Sequence, residues 1–253
     1  MKIVVVGGRG RIGARLVAEL TRGGHDVVAA SRRSGIDALT GQGLAEALRG
    51  ASVVVDASNS PSFEDAAVME FFTASTRSLL AREAAAGVGH HVMVSIVGID
   101  RSPECGYYRA KVAQEKLIKD SSIPYSIVRA TQFFEFLDII ADVATHGSVV
   151  RVPPARMQPI AAADAACAVA EFATGAPLND TVEIGGPESF YMADLLQRVL
   201  GARNDPREVI ADPQARMFGA AFTEYSLIPG AHAKLGEMRF GDWLSRSALS
   251  VHS

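Results

Sequence analysis

The stretch VVVGGRGRIGARL, residues 4–16, constrains this chain more than any other. An apolar run ends in glycines at Gly7, Gly10 and Gly13, and an amphipathic pattern follows. Strand, bare turn and helix in that order open a parallel β-α-β unit. Gly7 suits a tight turn, Gly10 lets the backbone approach a pyrophosphate, and Gly13 lets the helix pack close to the strand. The helix N-terminus adds unpaired N–H groups and the positive end of a dipole. Gly7, Arg9, Gly10, Arg11, Ile12 and Gly13 are therefore expected to bind a dinucleotide.

The pattern continues for about half the chain. Strands are predicted at Ile3–Val6, Val27–Ala30, Ser52–Asp56, His91–Ser95 and Tyr125–Arg129. Helices are predicted at Ile12–Arg22 and Gly43–Leu48, within Val68–Ala86, and at Tyr107–Ser121 and Phe133–Thr145. The strands are continuously apolar, which implies burial on both faces. Strands separated by helices imply a parallel sheet with right-handed crossovers. The expected fold is α/β, a Rossmann-like doubly wound parallel sheet. Later elements are predicted at Val149–Val152, Ala162–Phe172, Thr181–Ile184 and Met192–Leu200. The last fifty or so residues are less periodic, so 1–253 reads as a single nucleotide-binding domain with a small substrate-side lobe from roughly 187 onward. His90-His91 reads as a turn before its strand.

The second predicted strand ends in Ser31-Arg32-Arg33-Ser34. A carboxylate there would bind the ribose 2′-hydroxyl of NAD. Guanidiniums and hydroxyls instead suit a 2′-phosphate, since arginine binds phosphate bidentately. Ser31, Arg32 and Arg33, with Arg9 in reach, point to NADP(H).

A second signal is SIVGIDRSPECGYYRAKVAQEKL, residues 95–117. Ser95 ends an apolar strand, so its hydroxyl is expected at the cofactor edge of the sheet. Tyr107 and Lys111 stand at i and i+4 on one helical face. An ammonium beside a phenol favours the phenolate and lowers its pKa. Tyr107 would then protonate a carbonyl receiving hydride, Ser95 would hold its oxygen, and Lys111 would bind the nicotinamide ribose.

Composition excludes other classes. Apolar residues make up 48% and charged residues 21%, with net charge −3, so no nucleic-acid or anionic membrane face is expected. No apolar run approaches the roughly 18 residues of a membrane span. The two cysteines, Cys105 and Cys167, fit free thiols in a cytoplasmic protein. No His, Cys or carboxylate spacing suggests a metal. Asp56 reads as structural or near the adenine side, and Asp37 as an adenine contact.

With these motifs in place, the chain resembles an atypical short-chain dehydrogenase/reductase of the NmrA-like NAD(P)H-binding branch. The likeness rests on VVVGGRGRIG, SRRSG, DASNSPS, SIVGID, YYRAK, IPYSIVRATQFFEFL and EIGGPE. It implies that Ala57, Ser58 and Asn59 border the cofactor. It also implies that Ala130, Thr131, Gln132 and Phe133 pass the nicotinamide, and that Ser95, Tyr107 and Lys111 are a catalytic set. Val6 and Arg9 depart from the branch, where threonine and a small hydroxyl residue are common. The function implied is an NADPH-dependent oxidoreductase acting on a carbonyl or quinone. The alternative is a non-catalytic NADP(H)-sensing regulator, because some members of the branch lack the tyrosine. An epimerase or dehydratase holding NAD is disfavoured by Arg32-Arg33 and by the short lobe. Phe133, Phe134, Phe136, Met217, Phe218, Phe222, Tyr225 and Trp243 suggest an apolar or aromatic substrate pocket. A homodimer is implied by resemblance only.

Overall fold

A computed structural model describes residues 1–249. In chain order the first half runs β1 (Lys2–Val6), α1 (Arg11–Arg22), β2 (Asp26–Ala30), α2 (Leu44–Leu48), β3 (Val53–Asp56), α3 (Asp65–Ala86), β4 (His90–Ile96), α4 (Gly106–Lys119) and β5 (Tyr125–Ala130). The second half runs α5 (Leu137–Val143), β6 (Thr145–His146), β7 (Val149–Val152), β8 (Arg156–Met157), α6 (Ala162–Thr174), β9 (Asp180–Gly185), β10 (Phe190–Tyr191), α7 (Met192–Ala202), β11 (Glu208–Ala211), β12 (Lys234–Leu235) and α8 (Phe240–Leu249). Single 3-10 turns precede α2, at Arg32–Ser34, and α5, at Phe134–Phe136.

The central sheet has seven parallel strands in the order β12-β9-β5-β4-β3-β1-β2. Its strands are buried on both faces because each face is covered by helices. Ile3 and Val5 point to one side and pack with Leu16 and Leu20 of α1 and Ala165 and Val169 of α6. Val4 and Val6 point to the other, against Leu44 and Leu48 of α2 and Leu79 of α3. Met93 of β4 and Ile127 of β5 continue that second face against Ile118 of α4. The chain leaves β1 for β2 on one side and returns to β3 on the other. The order therefore reverses between β1 and β3, and a crevice opens there at the carboxyl edge.

The doubly wound parallel sheet is as expected, with element bounds shifted by a few residues. Two expectations change. His90 and His91 open β4 rather than forming a turn, and both are buried. Side-chain partners allow this: His90 Nε2 meets Ser126 Oγ at 2.8 Å, and His91 Nδ1 meets the Glu83 carboxylate at 2.9 Å. Phe133–Thr145 is also not one helix, since a 3-10 turn precedes α5. That turn brings Glu135 Oε2 to the Ala162 N–H, capping α6 at 3.0 Å.

The C-terminal residues hold more regular structure than their periodicity suggests. β12 pairs with β9 and adds a seventh strand to the sheet. Phe240 and Trp243 of α8 pack on Phe134, in one apolar cluster with α5, β7 and α7. No described helix is long and apolar enough to cross a membrane.

Candidate active site

The crevice begins with the glycine turn. Gly7 has φ of +75°, a left-handed conformation that favours glycine. A Cβ on Gly7 would lie 2.6 Å from the Ala57 carbonyl oxygen and 2.9 Å from the Ser58 Cα. One on Gly13 would lie 2.1 Å from the Gly7 carbonyl oxygen. The turn thus holds β1, α1 and the segment after β3 together at distances no other residue allows. The Gly8 N–H donates to the Ala30 carbonyl at 3.2 Å, which sets the end of β2 beside the same turn. Helix α1 follows its N-cap residue Gly10 with no side-chain cap and no acidic residue in its first turn. Its N-terminus is open to an anion, and the cradle fits a pyrophosphate.

The residues expected around the cofactor divide into those brought together and those held apart. Ser31 directly follows β2 and its hydroxyl sits 3.2 Å from that of Ser34. Arg32 and Arg33 follow in an exposed 3-10 turn. Their side chains and that of Arg9 form no ion pair or hydrogen bond among the described residues, so all three present unspent charge near the crevice. Arg11 is committed: it donates to the Glu135 carbonyl at 3.2 Å and lies 5.2 Å from the Phe136 ring centre. The Phe133 ring packs 5.8 Å from Phe136, so the segment after β5 reaches the start of α1. Thr131 Oγ1 beyond β5 and Ser58 Oγ beyond β3 are buried without a hydrogen-bond partner. The Ser58 hydroxyl belongs to the residue beside the glycine turn and suits a polar ligand there, whereas Thr131 lies against Gly185 of β9.

Tyr107 joins this edge through Asn59, donating its hydroxyl to Asn59 Oδ1 at 2.6 Å. Its ring meets Phe72 edge-on at 5.6 Å. Lys111, one turn on, is buried; its Nζ lies 4.6 Å from the same Phe72 ring. The ammonium donates to the Val94 carbonyl at 3.0 Å and to Gln114 Oε1 at 2.7 Å. Gln114 Nε2 passes the contact on to Asp56 Oδ2 at 2.9 Å, and Asp56 Oδ1 accepts the Ser58 N–H at 2.9 Å. A buried chain therefore runs from the loop after β3 to Lys111.

Burial dominates the protonation of both residues. It lowers the Lys111 pKa to about 8, although Asp56 and Glu115 pull it upward. It raises the Tyr107 pKa, with Cys105 and Asp56 adding to the rise. The phenol is thus a protonated donor, not the lowered phenol expected from the spacing. Burial is the main cause, and the ammonium expected to oppose it is directed to Gln114 and Val94 instead.

Ser95 is corrected more sharply. Strand alternation puts it on the same face as His91 and Met93, toward α4. It is buried there, and its hydroxyl donates to Glu115 Oε1 at 2.7 Å. Glu115 also accepts Arg129 Nε at 2.9 Å and Nη2 at 2.8 Å, while Arg129 Nη1 pairs with Asp100 at 2.9 Å. The Ser95 hydroxyl therefore belongs to a buried network and does not emerge at the sheet edge. Gln114 and Glu115 escaped the sequence reading, yet KVAQE carries the signal. They stand at i+3 and i+4 from Lys111, on the same buried face of the helix.

The aromatic set is also divided. Phe134, Phe222 and Met217 are buried, and Tyr108 packs against Phe222 with ring centres 6.1 Å apart. Tyr225 is exposed. A cavity of about 280 Å³ opens on Tyr107, lined by Phe63, Asp65, Cys105, Gly106, Phe218 and Gly219. Asp37 turns inward to the Leu39 N–H, which its Oδ1 accepts at 2.8 Å. Both cysteines are free thiols, and burial pushes the Cys105 thiol up. Among the described residues no cluster of His, Cys, Asp and Glu could hold a metal.

Residues 7–171 match the model of a family described as NAD(P)H-binding. No curated protein matches the chain. Among solved structures, it is similar to a short-chain dehydrogenase/reductase superfamily protein from Agrobacterium tumefaciens with bound NAD. That match has a TM-score of 0.73 at 18% identity, over 100% of this chain and 97% of the other. It is similar to the dTDP-glucose 4,6-dehydratase of Streptomyces venezuelae with NAD bound, at a TM-score of 0.75, 18% identity, and coverage of 100% and 97%. A dTDP-4-dehydrorhamnose reductase from Bacillus anthracis in complex with NADP matches at 0.63 and 14% identity, covering 94% and 90%. At these identities the likeness is one of fold.

Proposed function

Because the chain belongs to the NAD(P)H-binding family, we propose that it is an NADPH-dependent oxidoreductase acting on a carbonyl or quinone of an apolar small molecule. The observation that carries the reading is the placement of Tyr107 and Lys111. One turn apart on α4, they share Phe72 as a neighbour, and Tyr107 is tied through Asn59 to the loop beside the glycine turn. The nucleotide, when bound, supplies a hydride from nicotinamide C4 to the carbonyl carbon. Tyr107 holds the proton that the carbonyl oxygen then needs, and burial keeps that proton on the phenol. Lys111, one turn further along α4, keeps its ammonium on the Val94 carbonyl and Gln114 Oε1 and over the Phe72 ring that Tyr107 also meets. Arg32 and Arg33, with Arg9, are the side chains available to a 2′-phosphate; their choice over a carboxylate favours NADPH.

A second reading, an NADP(H)-sensing regulator without turnover, draws on the Lys111 and Ser95 contacts. The ammonium is engaged by Gln114 and Val94, and the Ser95 hydroxyl by Glu115. The test is NADPH oxidation across quinones, aldehydes and ketones, with wild type, Tyr107→Phe and Arg32→Ala/Arg33→Ala side by side. The oxidoreductase reading expects Tyr107→Phe to lose about a hundredfold or more in turnover, within the usual range for a positioned acid, while keeping NADPH affinity. The arginine pair should weaken NADPH binding by about tenfold or more and leave NADH unaffected. Tight NADPH binding with no turnover by either form would favour the sensor.

A further inference from the structure

We propose that Phe63 and Phe218 form an aromatic clamp that selects planar, uncharged ring substrates for the cavity at Tyr107. The proposal rests on the oxidoreductase reading for what happens to the ring, but not for its binding. Phe63 is 66% exposed and Phe218 43% exposed, and both line the cavity that Tyr107 closes. Apolar rings held this far out of the core contribute little to packing; across a cavity they offer two faces for a third ring. Phe63 already sits 5.9 Å from the Tyr107 ring, at an interplanar angle of 34°.

The backbone at Phe218 carries the argument further. Phe218 and Gly219 are the two central residues of a tight hairpin closed by paired hydrogen bonds of 3.0 Å between Met217 and Ala220. Both have positive φ, +52° at Phe218 and +82° at Gly219. Such a turn favours glycine or asparagine at its first position, and a bulky aromatic residue there is strained. Strain of this kind persists where the side chain serves a purpose that packing does not. The turn aims an aromatic ring into the mouth of the cavity.

Charge narrows the ligand class. Arg109, which reaches the lining residue Asp65, is spent on it at 2.6 Å and on the carbonyls of Pro103 and Glu104. The described lining residues include no cationic side chain to pair with a phosphate or carboxylate, and Asp65 is itself acidic. A volume of about 280 Å³ falls just below the usual range of ligand pockets, roughly 300–1,000 Å³, and limits the guest to a small fused-ring system. A ring carbonyl entering there would replace Asn59 as the partner of the Tyr107 hydroxyl.

The test is direct binding, by calorimetry on the whole chain with saturating NADPH, of 1-naphthol and of its flat-to-puckered counterpart decahydro-1-naphthol. Neither can be reduced, so the readout is independent of turnover. Wild type should prefer 1-naphthol. Phe63→Ala and Phe218→Gly should each weaken it by about tenfold, the scale of one lost aromatic contact. Phe218→Gly should meanwhile keep or raise Tm, because glycine relieves the positive φ. Equal binding of the two probes, no binding of 1-naphthol by wild type, or unchanged affinity in both variants would overturn the clamp. Phe63-dependent and Phe218-dependent binding without reduction of any carbonyl would keep the clamp and defeat the oxidoreductase reading. Turnover that ignores both rings would do the reverse.

Discussion

At Tyr107 and Lys111, burial acts on neighbouring groups of opposite charge type, disfavouring phenolate in one and ammonium in the other. For Lys111 this makes a prediction about stability. Below pH 8 the lysine is charged in folded and unfolded chains alike, and the cost of burying the charge is present in full. As pH rises from about 8 toward the unfolded value near 10.5, the folded protein sheds its proton first and the cost disappears. The unfolding free energy of wild type minus that of Lys111→Met should therefore rise with pH across this window, by up to about 3 kcal/mol. Urea titrations at pH 7 and pH 10 measure it; a flat difference would mean that the lysine is not buried as a cation. The Tyr107–Lys111 relation was legible because i, i+4 spacing is a local property of a helix. The direction of Ser95 was not legible. A strand apolar on both faces gives no parity signal, and the partner that claims its hydroxyl, Glu115, lies on another element.

At the scale of elements, the join of β1, the glycine turn and α1 governs whether a nucleotide can bind at all. The closest approach is at Gly13, where an added Cβ would collide with the Gly7 backbone rather than with a movable side chain. Gly13→Ala should push α1 off the turn, abolish measurable NADPH binding and destabilise the fold by about 1–3 kcal/mol, the range for overpacking. Fluorescence titration with NADPH and urea unfolding check the two effects separately. This element could be read from the sequence because its signal is spacing within one short stretch. The pairing at Glu83 and His91 could not. Both side chains are fully buried, and they meet across α3 and β4 only once the helix has been laid on the sheet. Two adjacent histidines at a strand start look like a polar turn until that partner is seen.

For the molecule as a whole, the C-terminal residues are part of the same fold as the sheet they cover. β12 extends the sheet, and Gly236 N–H donates to the Gly185 carbonyl at 2.8 Å. Phe240 is buried between Phe134 and Phe190, with ring centres 5.6 Å and 5.5 Å away. Phe240→Ala should cost about 3–5 kcal/mol. Fluorescence of Trp243, the single tryptophan, and far-ultraviolet circular dichroism should lose their signals in one common transition. Separate midpoints would show a lobe that unfolds by itself. This region resisted sequence reading because its strands β8, β10 and β12 are two residues long. Strands that short carry no period, and only the neighbours they pair with define them.

The central claim, that Tyr107 protonates an oxygen as hydride arrives from the nucleotide, is tested most directly by following the hydride itself. Wild type and Tyr107→Phe would be incubated with NADPH deuterated at nicotinamide C4 and a fused-ring ketone, and the product examined by mass spectrometry. The account predicts an alcohol with one deuterium on the former carbonyl carbon from wild type, and almost none from Tyr107→Phe at equal nucleotide occupancy. Equal labelling by both proteins would remove Tyr107 from the chemistry. Saturated NADPH sites with no label transferred to any carbonyl or quinone would contradict the oxidoreductase itself.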